Sequence, residues 1–194
     1  MKRFKSARGA FFLMLLVIIV LIAYYTLSLK TKKQSENIVT MTPVQTVLNR
    51  DLNKDYPPTP KEVVKYYSEI TKCFYNETYT DEELEQLAMQ AKAMYDDKLA
   101  ANKSDEDYIN DLKAEIAGFR EQNYTISSYA TSASTDVERF SQDGYNFARL
   151  YCTYFIRIGT VMQSIEEVYL LRLDEKEHWR IFGWDLASAV EDRD

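Results

Sequence analysis

The sequence predicts an α+β fold: an N-terminal transmembrane helix, then one domain in which three helices pack on a curved antiparallel sheet. Three observations carry this prediction. Ala10 to Leu29 is an uncharged run of twenty residues. Three segments of helical spacing follow, each opened by a capping residue. From Tyr124 onward the spacing of apolar and aromatic residues falls from 3.6 to 2, the period of half-buried strands.

Twenty helical residues at about 1.5 Å each reach about 30 Å, the thickness of a bilayer's hydrocarbon core. Thirteen residues of the run are Leu, Ile, Val or Phe. Each favours insertion by about 0.3–0.6 kcal/mol near a helix centre, so together they contribute roughly 4–8 kcal/mol. Lys2, Arg3, Lys5 and Arg8 precede the run, and Lys30, Lys32 and Lys33 follow it, a modest bias toward a cytoplasmic N-terminus. This reads as a signal-anchor: residues 1–9 a cytoplasmic tail, 10–29 the span, and the domain extracytoplasmic at the cell membrane. The rival is a cleaved signal peptide. Its apolar region is normally shorter, and the nearest small-x-small site is Thr26-Leu27-Ser28.

Residues 30–59 are polar and rich in proline, a linker with one short helix at Val44 to Leu52. Thr59-Pro60-Lys61-Glu62 places an N-cap, Pro at the first helical position and Glu at the third, and so predicts a helix to about Tyr75. Val63, Tyr67, Ile70 and Phe74 form its apolar stripe, read as core. Thr80-Asp81-Glu82-Glu83 repeats the capping box and opens a second helix to about Leu99. Ser104 caps a third, with Ile109, Leu112, Ile116 and Phe119 behind it.

Tyr124 to Thr131 is then the first strand, and Asp136 to Phe140 a short one before the Asp143-Gly144 turn. Tyr145 to Ile158 crosses the whole sheet. Ala148, Leu150, Cys152, Tyr154, Ile156 and Ile158 share one face, and Phe147, Arg149, Tyr151, Thr153, Phe155 and Arg157 the other. Ser164 to Leu173 returns, residues 174–178 turn at a charged tip, and Trp179 to Ala187 closes the meander. Residues 188–194 are an acidic tail, frayed at Glu191 to Asp194.

From Gln34 onward 17 Lys or Arg stand against 30 Asp or Glu, which opposes nucleic acid as a partner. Cys73 and Cys152 are the only thiols, read as small buried hydrophobes ahead of a disulfide pair. One His and no closely spaced Cys/His group predict no metal, and nothing in the sequence calls for a cofactor. His178, beside Glu175 and Glu177, reads as a solvated turn residue.

The ending YLLRLDEKEHWRIFGWDLA, with PTPKEVVKYYSEI as the opening helix, resembles the NTF2-like, or cystatin-like cone, superfamily over residues 60–187. Within it the chain resembles a family of small membrane-anchored proteins of Gram-positive gut bacteria. The resemblance implies helices covering one sheet face and pairing through the other. It carries no catalytic motif, and the fold hosts enzymes, transport factors and assembly subunits alike.

The expected function is a membrane-anchored extracytoplasmic binding or scaffold module, with no catalytic residue set. Its partners are the membrane through the N-terminal helix, and a second copy or another envelope protein through the sheet face, with a small ligand as the alternative. The alternative function is an enzyme of the ketosteroid-isomerase or dehydratase kind. It would use Asp185, whose apolar neighbours raise a carboxyl pKa, with a pocket Tyr. Against that stands an ordinary cross-strand pair of Asp185 with Arg172. The candidate interface is Phe147, Arg149, Tyr151, Phe155 and Arg157, with the two arginines set against Glu166 or Glu167 of a partner copy.

Overall fold

A computed structural model describes residues 41–191, and those from Thr42 onward form one α+β unit. In chain order it contains α1 (Pro43–Leu48), α2 (Pro60–Asn76), α3 (Asp81–Lys92), α4 (Asp97–Ala100) and α5 (Asp105–Glu121). Strands β1 (Tyr124–Thr131), β2 (Glu138–Gln142), β3 (Tyr145–Ile158), β4 (Val161–Leu173) and β5 (Trp179–Leu186) follow, and α6 (Ala187–Glu191) ends the described chain.

The expected fold class needs correction in its first part. No helix among the described residues is long and apolar enough to cross a membrane. The longest, α2 and α5, have 17 residues each and carry charges such as Lys61, Lys65, Lys72, Asp111 and Arg120. A span needs about 20 predominantly apolar residues in a row, so these are core-facing helices of a globular domain. The run Ala10 to Leu29, on which the expectation rested, lies outside the described residues, as does the tail beyond Glu191.

Local chemistry sets the helix starts. Thr80 and Glu83 make a reciprocal capping box, Glu83 N donating to Thr80 Oγ1 at 3.1 Å and Thr80 N to Glu83 Oε2 at 3.0 Å. At α2 the Thr59 hydroxyl accepts from Glu62 N at 3.2 Å and donates to that residue's own carboxylate at 3.1 Å. Each cap satisfies amides that the helix leaves unpaired, and is worth about 1 kcal/mol. The expected second helix is shorter than read. It stops at Lys92, Ala93 and Met94 form a turn, and Tyr95 makes a single bridge before Asp96 caps α4. There Ile181 N donates to Met94 O and Asp96 N to Ile181 O, both at 2.8 Å, so residues 94–96 pair along the edge of β5 and cover it.

The linker expected over 30–59 also ends earlier than read. Val44 and Val47, three apart on α1, are 1% and 6% exposed, and the Tyr66 hydroxyl donates to Val47 O at 2.8 Å. Farther on, the Tyr56 hydroxyl donates to Trp179 O at 2.9 Å, which ties this segment to the start of β5. Residues 42–59 therefore belong to the packed unit.

The sheet order is β1-β3-β4-β5, all antiparallel, with β2 paired to the first half of β3 on the same side as β1. Asp143 and Gly144 both have positive φ, 51° and 82°, as a two-residue hairpin loop between right-twisted strands requires. Bulges at Ile126/Ser128 and Leu170/Leu171 bend the sheet. The inner face of β3 (Ala148, Leu150, Cys152, Tyr154, Ile156) is buried beneath the helices together with Tyr169, Leu171 and Ile181. Cys73 and Cys152 are free and buried, and burial pushes the Cys73 thiol up to about 11.

Candidate functional site

The helices cover the inner sheet face unevenly. Between α2, the α3–α5 segment and the ends of β4 and β5 they leave a cavity of about 370 Å³. Small-molecule sites run from about 300 to 1,000 Å³, so it suits a small ligand. Its walls are aromatic: Tyr67, Phe74 and Tyr75 from α2, Tyr95 and Tyr108 from the opposite side, Tyr169 and Trp184 from the sheet floor. Trp184 lies at the hub, its ring centroid 5.6 Å from both Tyr67 and Tyr95 and 6.2 Å from Tyr169.

Buried tyrosines must place their hydroxyls, and here they place them on one another. One chain links Tyr67 to Tyr95 at 3.0 Å and Tyr95 to Tyr108 at 3.3 Å. A second runs from Glu167 Oε2 to the Tyr169 hydroxyl at 2.6 Å, on to Tyr154 at 3.1 Å and Ser68 at 2.8 Å, and ends on Val64 O at 2.9 Å. That second chain has four oxygen–oxygen contacts but only three hydroxyl protons. If Glu167 is protonated, its O–H supplies the fourth, and every contact holds one proton pointing toward Val64 O. If it is ionised, Tyr169 donates to it and one contact farther along is left without a proton. Burial pushes the Glu167 carboxyl above its ordinary value of 4.5, the hydrogen bond from Tyr169 opposes this, and the charge of Glu115 adds to it. Burial likewise lifts Tyr67 and Tyr169 well above the usual phenol range.

Four further charges line the cavity. Lys92 is paired with Asp105 at 2.6 Å and Lys103 with Asp111 at 2.5 Å. Glu115 accepts a hydrogen bond from Tyr75. Among the described residues neither Glu115 nor Glu167 has an ion-pair partner within 4.0 Å.

The sequence-predicted site residues lie elsewhere. Asp185 is on the outer sheet face, opposite Val168, its Oδ1 accepting from Leu186 N at 2.8 Å. Arg172 pairs with the buried Asp96, Nη2 to Oδ2 at 2.6 Å. The expected interface residues do share the outer face: Tyr151 is 41% exposed, Phe147 and Phe155 are half-buried, and Arg157 is exposed. Phe147 is flanked by Phe140 and Phe182 at 5.6 Å each, in the wall of an outer hollow of about 580 Å³. Arg149 pairs within its own chain with Glu138 at 3.6 Å. Glu167, expected beside these arginines, is on the inner face. It is separated by two and four residues from the fully buried Tyr169 and Leu171, and an acid at that register was the signal for the cavity. The cavity walls were legible only as core stripe: Tyr67 and Tyr95 carry the right spacing, but spacing does not tell a filled core from a lined hollow.

Residues 1–184 match the family model described as Domain of unknown function (DUF6715). No curated protein matches the chain.

Proposed function

We propose that this chain, which belongs to the DUF6715 family, is a binding module whose small ligand enters the cavity on the inner face of the sheet. The observation that carries this reading is the cavity itself: about 370 Å³ walled by seven aromatic side chains, in a domain small enough to have filled it. Elsewhere in the core Leu87, Ala91, Met94, Leu150 and Ile181 are fully buried. The likeness of residues 60–187 to NTF2-like cones supports the same location. The outer face is the place for a macromolecular partner, a second copy of this chain above all, because Tyr151 stands open beside the Phe140–Phe147–Phe182 cluster.

Saturation-transfer NMR of the full chain against a library of small fragments tests the ligand reading. Fragments bind, and Trp184→Ala removes them whereas Tyr151→Ala on the outer face does not. A library without hits, or hits indifferent to Trp184→Ala, would reject the cavity as the ligand site.

A second reading is favoured by one observation, the Glu167 carboxyl held high among tyrosine hydroxyls. It is a pocket acid that can exchange a proton with the Tyr169 hydroxyl, in place of the Asp185 expected for an enzyme. The two readings part on the fate of the bound molecule. A binding module returns it unchanged; an acid–base enzyme converts it, and Glu167→Gln then stops conversion while binding persists.

A further inference from the structure

We infer that the ligand of the inner cavity carries an organic ammonium group, a cation bearing alkyl substituents, held between the aromatic walls and the carboxylates of Glu115 and Glu167. This rests on the proposed reading of the cavity as a ligand site and adds the ligand's chemical class.

Two independent features of the cavity lead there. The first is its walls. Tyr67, Tyr95, Tyr169 and Trp184 bring their rings within 5.6–6.2 Å of one another around Trp184. Tyr169 is wholly buried against Trp184, which keeps 39% of its surface open, and an alkylated cation is the guest for which such an aromatic wall serves as both apolar surface and counter-charge. The second is the charge inventory. Both lysines of the lining are committed to aspartates, Lys92 to Asp105 and Lys103 to Asp111, so their charges are cancelled at the rim. Glu115 and Glu167 hold only tyrosine hydroxyls, and each is felt by the other's neighbourhood: the charge of Glu115 makes it harder to ionise Glu167. An anionic ligand would meet Glu115 and the oxygens of Glu167, and a neutral one would leave Glu115 without a counter-ion and the proton of Glu167 in place. A cation answers both, and it takes the place of the proton that the hydroxyl chain otherwise draws from Glu167.

The same wall argues against simple metal ions. Among the described residues no group of three or more His, Cys, Asp or Glu is placed to hold one, and tyrosine rings offer an alkylated surface far more than a hydrated ion.

Isothermal titration of the full chain with three probes tests the inference: tetramethylammonium, choline, and 3,3-dimethylbutan-1-ol, which is choline with carbon in place of the charged nitrogen. Choline should bind at least tenfold more tightly than its neutral isostere. Glu167→Gln and Glu115→Gln should each weaken choline about tenfold and leave the isostere unchanged, and near-UV circular dichroism should report an intact fold in both. Equal affinity for choline and the isostere, or loss of neither on carboxylate substitution, overturns the ammonium assignment while the cavity stands as a neutral-ligand site. If neither cation binds but neutral fragments still depend on Trp184, the assignment falls and the binding reading survives. If no probe and no fragment binds, both fall together.

Discussion

Both faces of this sheet carry aromatic clusters, and they handle polarity in opposite ways. On the inner side the rings around Trp184 are mostly tyrosines, and their hydroxyls bond to one another because buried space offers few other partners. On the outer face the rings are mostly phenylalanines, and the polar groups are guanidinium planes laid over them. Arg172 lies 4.7 Å from the Tyr145 centroid and 5.4 Å from Phe182, and Arg149 lies 5.7 Å from Phe140. Among the described residues no buried side-chain nitrogen or oxygen lacks a hydrogen-bond partner. The inner face is therefore preorganised, its donors and acceptors fixed before any ligand arrives, as a small-molecule site requires. On the outer face Arg172 is held by the buried Asp96 and Arg149 by Glu138, while Tyr151 stays open, which suits a surface met by another protein.

One residue joins the two regimes, and its loss has the largest expected effect. Asp96 caps α4 through Lys98 N at 3.0 Å and receives Nε and Nη2 of Arg172 at 2.7 and 2.6 Å, with the two side chains only 3% and 14% exposed. Asp96→Ala leaves a guanidinium half-dry and unpaired, which costs about 3–5 kcal/mol in urea denaturation. Adding Arg172→Met to the same chain should restore part of that loss, because the penalty lies in the orphaned charge. A double variant as unstable as the single one would mean that the cap, and not the pair, carries the site.

Two neighbours on β4 then measure the faces against each other. Leu171 is fully buried on the inner face, and Leu170 is half-buried on the outer face. Leu171→Ala should cost about 2–5 kcal/mol and Leu170→Ala less than about 1.5. Equal losses would mean that the outer face is covered in solution as fully as the inner one. Sedimentation of the full chain asks that question directly: we expect a dimer whose dissociation constant rises at least tenfold, about 1.4 kcal/mol, with Tyr151→Glu. A monomer at high micromolar concentration, unaffected by the substitution, would assign the stripe to its own arginine stems and to the cover supplied by β2.

How much of this was legible in the sequence depends on which interactions define each part. Helix starts at Thr59, Thr80 and Ser104, the Asp143-Gly144 turn and the two faces of β3 follow from local rules, in which a residue's neighbours three or two positions away decide its role. Break points set by distant partners were not legible. The end of α3 at Lys92 depends on Ile181 offering a free strand edge to residues 94–96, and the inclusion of α1 depends on Tyr66 and Gln90 reaching back to Val47 and Arg50. The site was the least legible part. Asp185 looked like a pocket acid because its neighbours are apolar, but the Leu170/Leu171 bulge and strand register turn it outward. Glu167 was expected, with Glu166, opposite Arg149 and Arg157 of the outer face, yet alternation along β4 turns it in with Tyr169.

The smallest effect expected is also the one that reads the proton on Glu167. Its carboxyl is held above its ordinary 4.5, by burial first and by the charge of Glu115, with the hydrogen bond from Tyr169 opposing. The other titratable groups lining the same cavity are Tyr67 and Tyr75 from α2, Lys92 and Tyr95 from α3 and its end, and Lys103, Tyr108 and Asp111 at α5. Because the folded chain holds this proton more tightly than the unfolded chain, it carries more protons in the window that opens above 4.5, and stability falls as pH rises through that window. Glu167→Gln carries no titrating proton, and its amide can still donate toward Tyr169 as the protonated acid does. Thermal unfolding of the two chains from pH 4 to pH 7 should therefore give melting temperatures that are close at the acid end and diverge in favour of Glu167→Gln as pH rises. Parallel curves would mean that Glu167 is ionised throughout. Tyr169 would then donate to the carboxylate, Ser68 would still donate to Val64 O, and one contact among Tyr169, Tyr154 and Ser68 would be left without a proton.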